Sequence, residues 1–291
     1  MKQRRYRGRY TIRKKHLPLW LWMLPASLLA ISLVAVGMIL LNRHSARVEY
    51  QQLAKNVHQS QTTAGETAAP AETAVPGEIS APLETTAAAE PTGPLEQYRQ
   101  LYEQNPEMVG WLRIDGTVID YPVMHTPDNP EKYLHRDFKG DYSYPGVPFI
   151  DYRCKLDSDN LVIYGHNMTD GSMFRTLTDY QQKNHWESHP VIRFDSLYEE
   201  REYEVVAAFY DRIYYTHETN FKFYNFIDAA NEAEYERAVE QFRKKSLYDT
   251  GVTPKYGQQL ITLVTCTYQV ENGRFVVVAC EKNGAGKSTG G

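Results

Sequence analysis

QLITLVTCTYQVENGRFVVVAC, residues 259–280, consists of two apolar, β-branched runs joined by a polar connection that ends in Asn272-Gly273. Runs of this composition predict strands, and the Asn-Gly pair predicts a hairpin between them. Such a hairpin carries Cys266 to the end of one strand and brings Arg274, which opens the next, back beside it. A thiol at a strand end reaches solvent. To act as a nucleophile it must become a thiolate, so it needs a proton partner and a positive environment. Arg274 stays charged and suits the holding of a developing oxyanion.

Outward from this hairpin the same composition recurs between turn signals. WLRI (111–114), TVIDYPV (117–123), VPFID (147–151), LVIYG (161–165), VIRF (191–194) and EYEVVAAFY (202–210) bring the count of candidate strands to eight. Eight short strands with few helices between them predict a mainly β fold closed, or nearly closed, into a barrel, because closure removes exposed edges. Two helices are expected around it. One begins near Pro94, with Leu95, Tyr98, Leu101 and Tyr102 at helical spacing, and stops at Asn105-Pro106. The other runs from Asn231 to Lys245, between the sixth and seventh strands, with Tyr235, Ala238, Val239 and Phe242 on one face. Asn231 and Glu234 suit a capping-box-like start, and Arg243, Lys244 and Lys245 suit the negative end of the helix dipole.

The N-terminal third has a different character. Residues 1–16 hold eight Lys and Arg and no acid; without them the chain has 24 basic against 36 acidic residues, a net charge of −12. That remainder repels phosphates, so nucleic acid is not an expected partner and the basic segment serves as a topology signal. Residues 17–41, LPLWLWMLPASLLAISLVAVGMILL, are uncharged and exceed the roughly 20 residues that cross a ~30 Å hydrocarbon core. They predict a single transmembrane signal-anchor helix, longer than the core of a cleavable signal peptide. Trp20 and Trp22 suit the interface and the basic flank the cytoplasmic side, which leaves the rest of the chain extracellular at the cell membrane. Residues 42–93 are expected to form a disordered stalk, since 58–93 consist mostly of Thr, Ala, Glu and Pro and offer little to bury. A folded domain over 94–282 and a flexible tail over 283–291 complete the division. The tail, NGAGKSTGG, resembles the end of a phosphate-binding loop but has Glu281 where that motif needs glycine.

Three cysteines in a compartment that permits disulfides leave at least one thiol over. Cys154 and Cys280 suit buried bystanders, with a disulfide between them left open. Of nine histidines, His16, His44 and His58 precede the domain; His125, His135, His185, His189 and His217 suit structural or surface positions. His166 differs because it follows the strand LVIYG at a glycine, again at a strand end.

The blocks NPEMVGWLRIDGTVIDYPV, YLHRDF, VPFID, LVIYGHNM, LVTCTY and GRFVVVA together resemble the sortase family, in particular its class B. The resemblance covers roughly residues 94–282. It implies an eight-stranded sortase-type β-barrel with a helix between strands six and seven. It also implies a catalytic set of Cys266, His166 and Arg274, with Thr265, Tyr164, Asn129 and Leu134 lining the substrate site. The DNPEKYL stretch is one residue longer than the family spacing, which shifts the register at Asn129. Thr267 stands where some class B members carry an acid. No cofactor or metal is implied. The implied reaction is transpeptidation: a sorting motif of a surface protein is cleaved through a thioacyl-enzyme and passed to an amino group of a peptidoglycan precursor. A pilin-polymerising enzyme with a lysine acceptor would show a similar site; an inactive peptide-binding barrel is the reading from another class.

Overall fold

The computed structural model of the 291-residue chain describes residues 20–67, 93–267 and 269–282. The expected basic segment 1–16, residues 17–19 of the expected anchor, residues 68–92 of the expected stalk and the tail 283–291 lie outside the described residues. The chain divides into two units, residues 1–42 and 43–291.

Helix α1, Trp20–Thr67, includes residues of both units. Its segment Ser27–Thr62 carries an 18-residue window of mean hydropathy 1.6, none of it buried, long and apolar enough to cross a membrane by length and composition. From Arg43 onward α1 departs from the expected stalk. Ala46, Tyr50, Leu53, Ala54 and Val57 recur at helical spacing and are buried in the domain core. His58 adds a hydrogen bond, its Nε2 lying 2.8 Å from the Asp120 carboxylate. A segment with one buried apolar stripe gains enough from burial to offset its ordering; the expectation of a stalk beginning at residue 42 is therefore corrected for 43–67.

The second unit is built on eight strands: β1 (Met108–Arg113), β2 (Asp120–Met124), β3 (Phe149–Ile150), β4 (Asn160–Tyr164), β5 (Val191–Ser196), β6 (Glu202–Arg212), β7 (Leu260–Cys266) and β8 (Gly273–Glu281). They close into a barrel in the order β1-β2-β3-β4-β7-β8-β6-β5. β2 pairs with β3, and β4 with β7, in parallel; the other pairs are antiparallel. β7 is buried on both faces except at its last residue, Cys266. Leu263, Val264, Val276 and Val277 are each at most 1% exposed, and burial of each such side chain contributes about 1.5–3 kcal/mol.

Helix α2 (Glu96–Gln104) buries Tyr98 and Leu101 and ends at Asn105. The Tyr98 hydroxyl donates to Asp195 of β5 at 2.6 Å. A short helix, α3 (Lys183–Ser188), follows a run of 3-10 turns that the sequence pattern does not announce. Helix α4 (Glu232–Lys245) lies between β6 and β7 and buries Tyr235, Ala238, Val239 and Phe242 as expected. The Asn231 side chain accepts the N–H of Glu234 at 3.1 Å. The Glu234 carboxylate reaches back one residue further than a capping box requires, to the N–H of Ala230 at 3.0 Å.

Candidate active site

Three neighbouring strands end on one side of the barrel, and their register sets the site. β4 and β7 run parallel with Tyr164 opposite Val264, so the next two residues of each chain remain side by side. The N–H of Gly165 donates to the Val264 carbonyl at 3.1 Å, and the Thr265 hydroxyl donates to the Gly165 carbonyl at 2.8 Å. One residue on, His166 comes alongside Cys266, and the Asn167 side chain donates to the Cys266 carbonyl at 2.9 Å. β8 then returns with Arg274 directly opposite Cys266. Asn272 takes the left-handed conformation, φ 55°, at the end of the connection 267–272, so the hairpin is longer than a two-residue Asn-Gly turn.

Gly165 is required by close approach. A Cβ there would lie 2.6–2.8 Å from the ring of Phe174, whose N–H donates to the His166 carbonyl at 2.9 Å. Only glycine lets that ring pack under the turn that delivers the histidine.

Cys266, His166 and Arg274 all open into one cavity of about 380 Å³. Each of the three is half-buried. His166 Nε2 lies 2.9 Å from the Leu134 carbonyl; a carbonyl only accepts, so Nε2 carries the proton and Nδ1 is the nitrogen left to exchange one. Burial lowers the pKa of His166, the Leu134 hydrogen bond opposes that, and the charge of His135 lowers it further. His135 stacks on His166 with ring centroids 5.2 Å apart and planes 19° apart. Arg274 donates to the Gly273 carbonyl at 2.9 Å, and among the described residues no carboxylate forms an ion pair with it.

Thr265, Tyr164 and Leu134 also line the cavity. Thr265 is buried and its hydroxyl is committed to Gly165, while Leu134 contributes both a wall and the carbonyl that orients His166. Asn129 does not line it. That residue is exposed and its carbonyl accepts from Lys132 N–H and the Thr126 hydroxyl, closing a turn. The neighbours Pro130 and Glu131 line the cavity instead, consistent with the extra residue in this stretch.

Asp151, at the end of the VPFID run, is not among the expected site residues, yet it lines the cavity. It accepts from Arg153 Nε and Nη2, both at 2.9 Å, and from the Tyr164 hydroxyl at 3.0 Å. Burial pushes its pKa up, but the Arg153 contacts outweigh this and hold it below the usual carboxylate range. Burial and the Asp151 charge push Tyr164 far above the ordinary phenol range, so Tyr164 is a hydrogen-bonded wall that keeps its proton. A carboxylate closing an apolar strand, two residues before an arginine, is the available signal. His135 is a second addition; its place beside Leu134 in YLHRDF is the clue.

Cys154 and Cys280 are free, buried thiols. Burial pushes them up to about 12 and about 11 respectively, so Cys266, half-buried on the cavity wall, is the accessible sulfur.

The sortase domain model matches residues 112–282 of this chain. The chain belongs to the sortase family. Sortase B of Listeria monocytogenes is 34% identical over 187 residues, which cover 62% of this chain and 72% of the relative. Sortase B of Staphylococcus aureus is 31% identical over 187 residues, 63% and 73% respectively. Among solved structures, sortase B from Bacillus anthracis in complex with AAEK1 matches with a TM-score of 0.56 and 34% identity, over 64% of this chain and 84% of that one. A Staphylococcus aureus sortase B–substrate complex matches in fold with a TM-score of 0.66 and 24% identity, over 83% of this chain and 98% of that one. The sortase is thus of class B, its barrel is the expected eight-stranded one, and it is a cysteine transpeptidase.

Proposed function

We propose that this sortase is anchored by residues 17–41, with its catalytic domain outside the cell membrane, and that it joins surface proteins to the cell wall through a thioacyl-enzyme on Cys266. The observation that carries this reading is the alignment of His166, Cys266 and Arg274 on three adjacent strand ends around a single cavity. Cys266 Sγ attacks the carbonyl carbon of the scissile peptide bond in a sorting motif, and its thiol proton passes to Nδ1 of His166. The oxyanion that forms faces the Arg274 guanidinium, whose charge is worth most in a partly dry site. As the tetrahedral intermediate collapses, the C–N bond breaks and His166 gives a proton from Nδ1 to the departing amine. A peptidoglycan-precursor amine then attacks the thioester, returns a proton to His166 and expels the Cys266 thiolate, so that a new amide bond replaces the old one.

With its pKa lowered by burial, His166 is largely neutral near neutrality, and the imidazolium needed for amine departure is stabilised mainly when a thiolate or oxyanion lies beside it. Tyr164, Thr265 and Leu134 form the walls that receive the motif.

A peptide library spanning NPQTN-like and other Thr-containing motifs, incubated with the enzyme and with either oligoglycine-type amines or a lysine-bearing pilin-type peptide, tests both halves. Cleavage of one motif class with transfer to a wall-type amine is the expected outcome. Transfer to lysine alone would replace the cell-wall acceptor, and binding without cleavage would leave a peptide-binding module.

A further inference from the structure

Tyr50, in the part of α1 that packs with the barrel, is 2% exposed, and its hydroxyl donates to the Gly146 carbonyl at 2.8 Å. Gly146 has a φ of +59°, and a Cβ there would lie 2.4 Å from the Leu134 carbonyl oxygen and 2.5 Å from that of Tyr133. Its backbone is therefore seated against the carbonyl that accepts from His166 Nε2. Val147 N–H donates to the Tyr133 carbonyl at 3.2 Å, and Lys139 pairs with Glu49 of α1 at 3.0 Å. The 133–147 segment is thus fastened to α1 at two points.

The other flank of His166 is linked to the same tyrosine through Tyr121 and Met173. The Tyr50 ring packs edge-on against Tyr121, with centroids 5.5 Å apart, and the Tyr121 hydroxyl accepts the N–H of Met173 at 3.0 Å. Met173 sits at φ 53° and bridges to Asn167. The following residue, Phe174, holds the His166 carbonyl. One buried side chain thus bonds directly to the segment that orients the imidazole ring and reaches the segment that fixes its backbone through Tyr121.

We propose that Tyr50 is a positioning residue for His166. By fixing Gly146, and through it the Leu134 carbonyl, α1 keeps Nε2 protonated and leaves Nδ1 for proton exchange with Cys266 and the leaving amine. Tyr50 touches neither substrate nor the reacting atoms. A carbonyl in an irregular segment selects one imidazole tautomer only while it is itself held still, and Tyr50 supplies that restraint. The catalytic consequence rests on the role given to His166 above; the effect on its ring does not.

The test uses the full chain in detergent with ¹⁵N-labelled histidine, the His166 signals being assigned by their loss in His166→Gln. Tyr50→Phe removes the hydroxyl and keeps the ring. Val57→Ala trims another buried side chain of the same helix and controls for destabilisation alone. In Tyr50→Phe the nitrogen shifts of His166 are expected to move from those of one Nε2–H tautomer toward averaged values. Acylation by an NPQTN-containing peptide is expected to slow about three- to tenfold, the range covered by one ordinary hydrogen bond, at unchanged KM. Val57→Ala, at an equal or greater loss of Tm, is expected to leave both unchanged. His166 shifts that stay in place in Tyr50→Phe, or that move as far in Val57→Ala, overturn the proposal. Shifts that move while acylation keeps its rate support the positioning and count instead against His166 as the proton partner.

Discussion

Arg274 pairs across the strands with Cys266, and among the described residues no carboxylate forms an ion pair with it; the proposed mechanism gives its charge to the substrate oxyanion. Arg274→Ala is expected to lower the acylation rate by on the order of 10² with little change in KM. Arg274→Lys should recover only part of that loss, because an ammonium lacks the planar fork of donors. Single-turnover acylation measures both; a raised KM with unchanged rate would make Arg274 a binding residue. His135 acts on the same site through its charge. Stacked 5.2 Å from His166, it disfavours a second positive charge there. His135→Phe keeps a ring in the stack and removes the charge. The limb of the pH–rate profile that belongs to His166 should therefore move upward, toward the ordinary imidazole value near 6.5. A limb that stays in place would show burial acting alone.

Among the elements, the turns and caps separate what holds the site from what holds the fold. Gly165→Ala forces a Cβ into the Phe174 ring and should cost about 1–3 kcal/mol of stability together with most of the activity, since His166 follows directly. Asn231→Ala removes the cap of α4, costing about 0.5–2 kcal/mol, and should leave activity unchanged. Urea unfolding and a peptide-cleavage assay on the two variants distinguish them; equal losses of activity would contradict the separation. The eight strands and α4 are legible in the sequence because their patterns are long and strongly apolar. VPFID shortens to the two residues of β3, and β2 starts only at Asp120 because Gly116, at φ +79°, and the Thr117 hydroxyl bonded to the Ile114 carbonyl close a turn first. Over 43–67, Ala46, Tyr50, Leu53, Ala54 and Val57 carry a helical stripe, but the Thr/Pro/Glu-rich segment that follows masks it when the two are taken as one stretch. The gathering of Cys266, His166 and Arg274 at one end of the barrel is legible from strand ends and family blocks. The Leu134 carbonyl and the Gly146 contact are not, because backbone groups in irregular segments leave no side-chain pattern.

For the molecule as a whole, burial of titratable groups ties stability to pH. His125, His166 and His185 all have pKa values lowered chiefly by burial. The unfolded chain, with imidazoles near 6.5, binds more protons than the folded one just below that value, so stability is full above it and is lost as pH falls through the lowered folded values. Urea midpoints measured between about pH 7.5 and 5 should fall with pH, and the slope should flatten in the His125→Gln, His185→Gln double variant, which keeps Cys266, His166 and Arg274. An unchanged slope would assign acid sensitivity to other groups. At this scale the protein is a closed barrel that places three strand ends around one cavity, with two further thiols kept protonated in the core. Only the sulfur on that cavity is expected to become acylated, and intact-protein mass spectrometry after incubation with NPQTN-like and other Thr-containing sorting peptides measures this. A hydroxylamine-labile acyl adduct should map to Cys266 and be absent from a folded Cys266→Ala variant; an adduct that survives in that variant, or that maps to Cys154 or Cys280, would rule out Cys266 as the nucleophile.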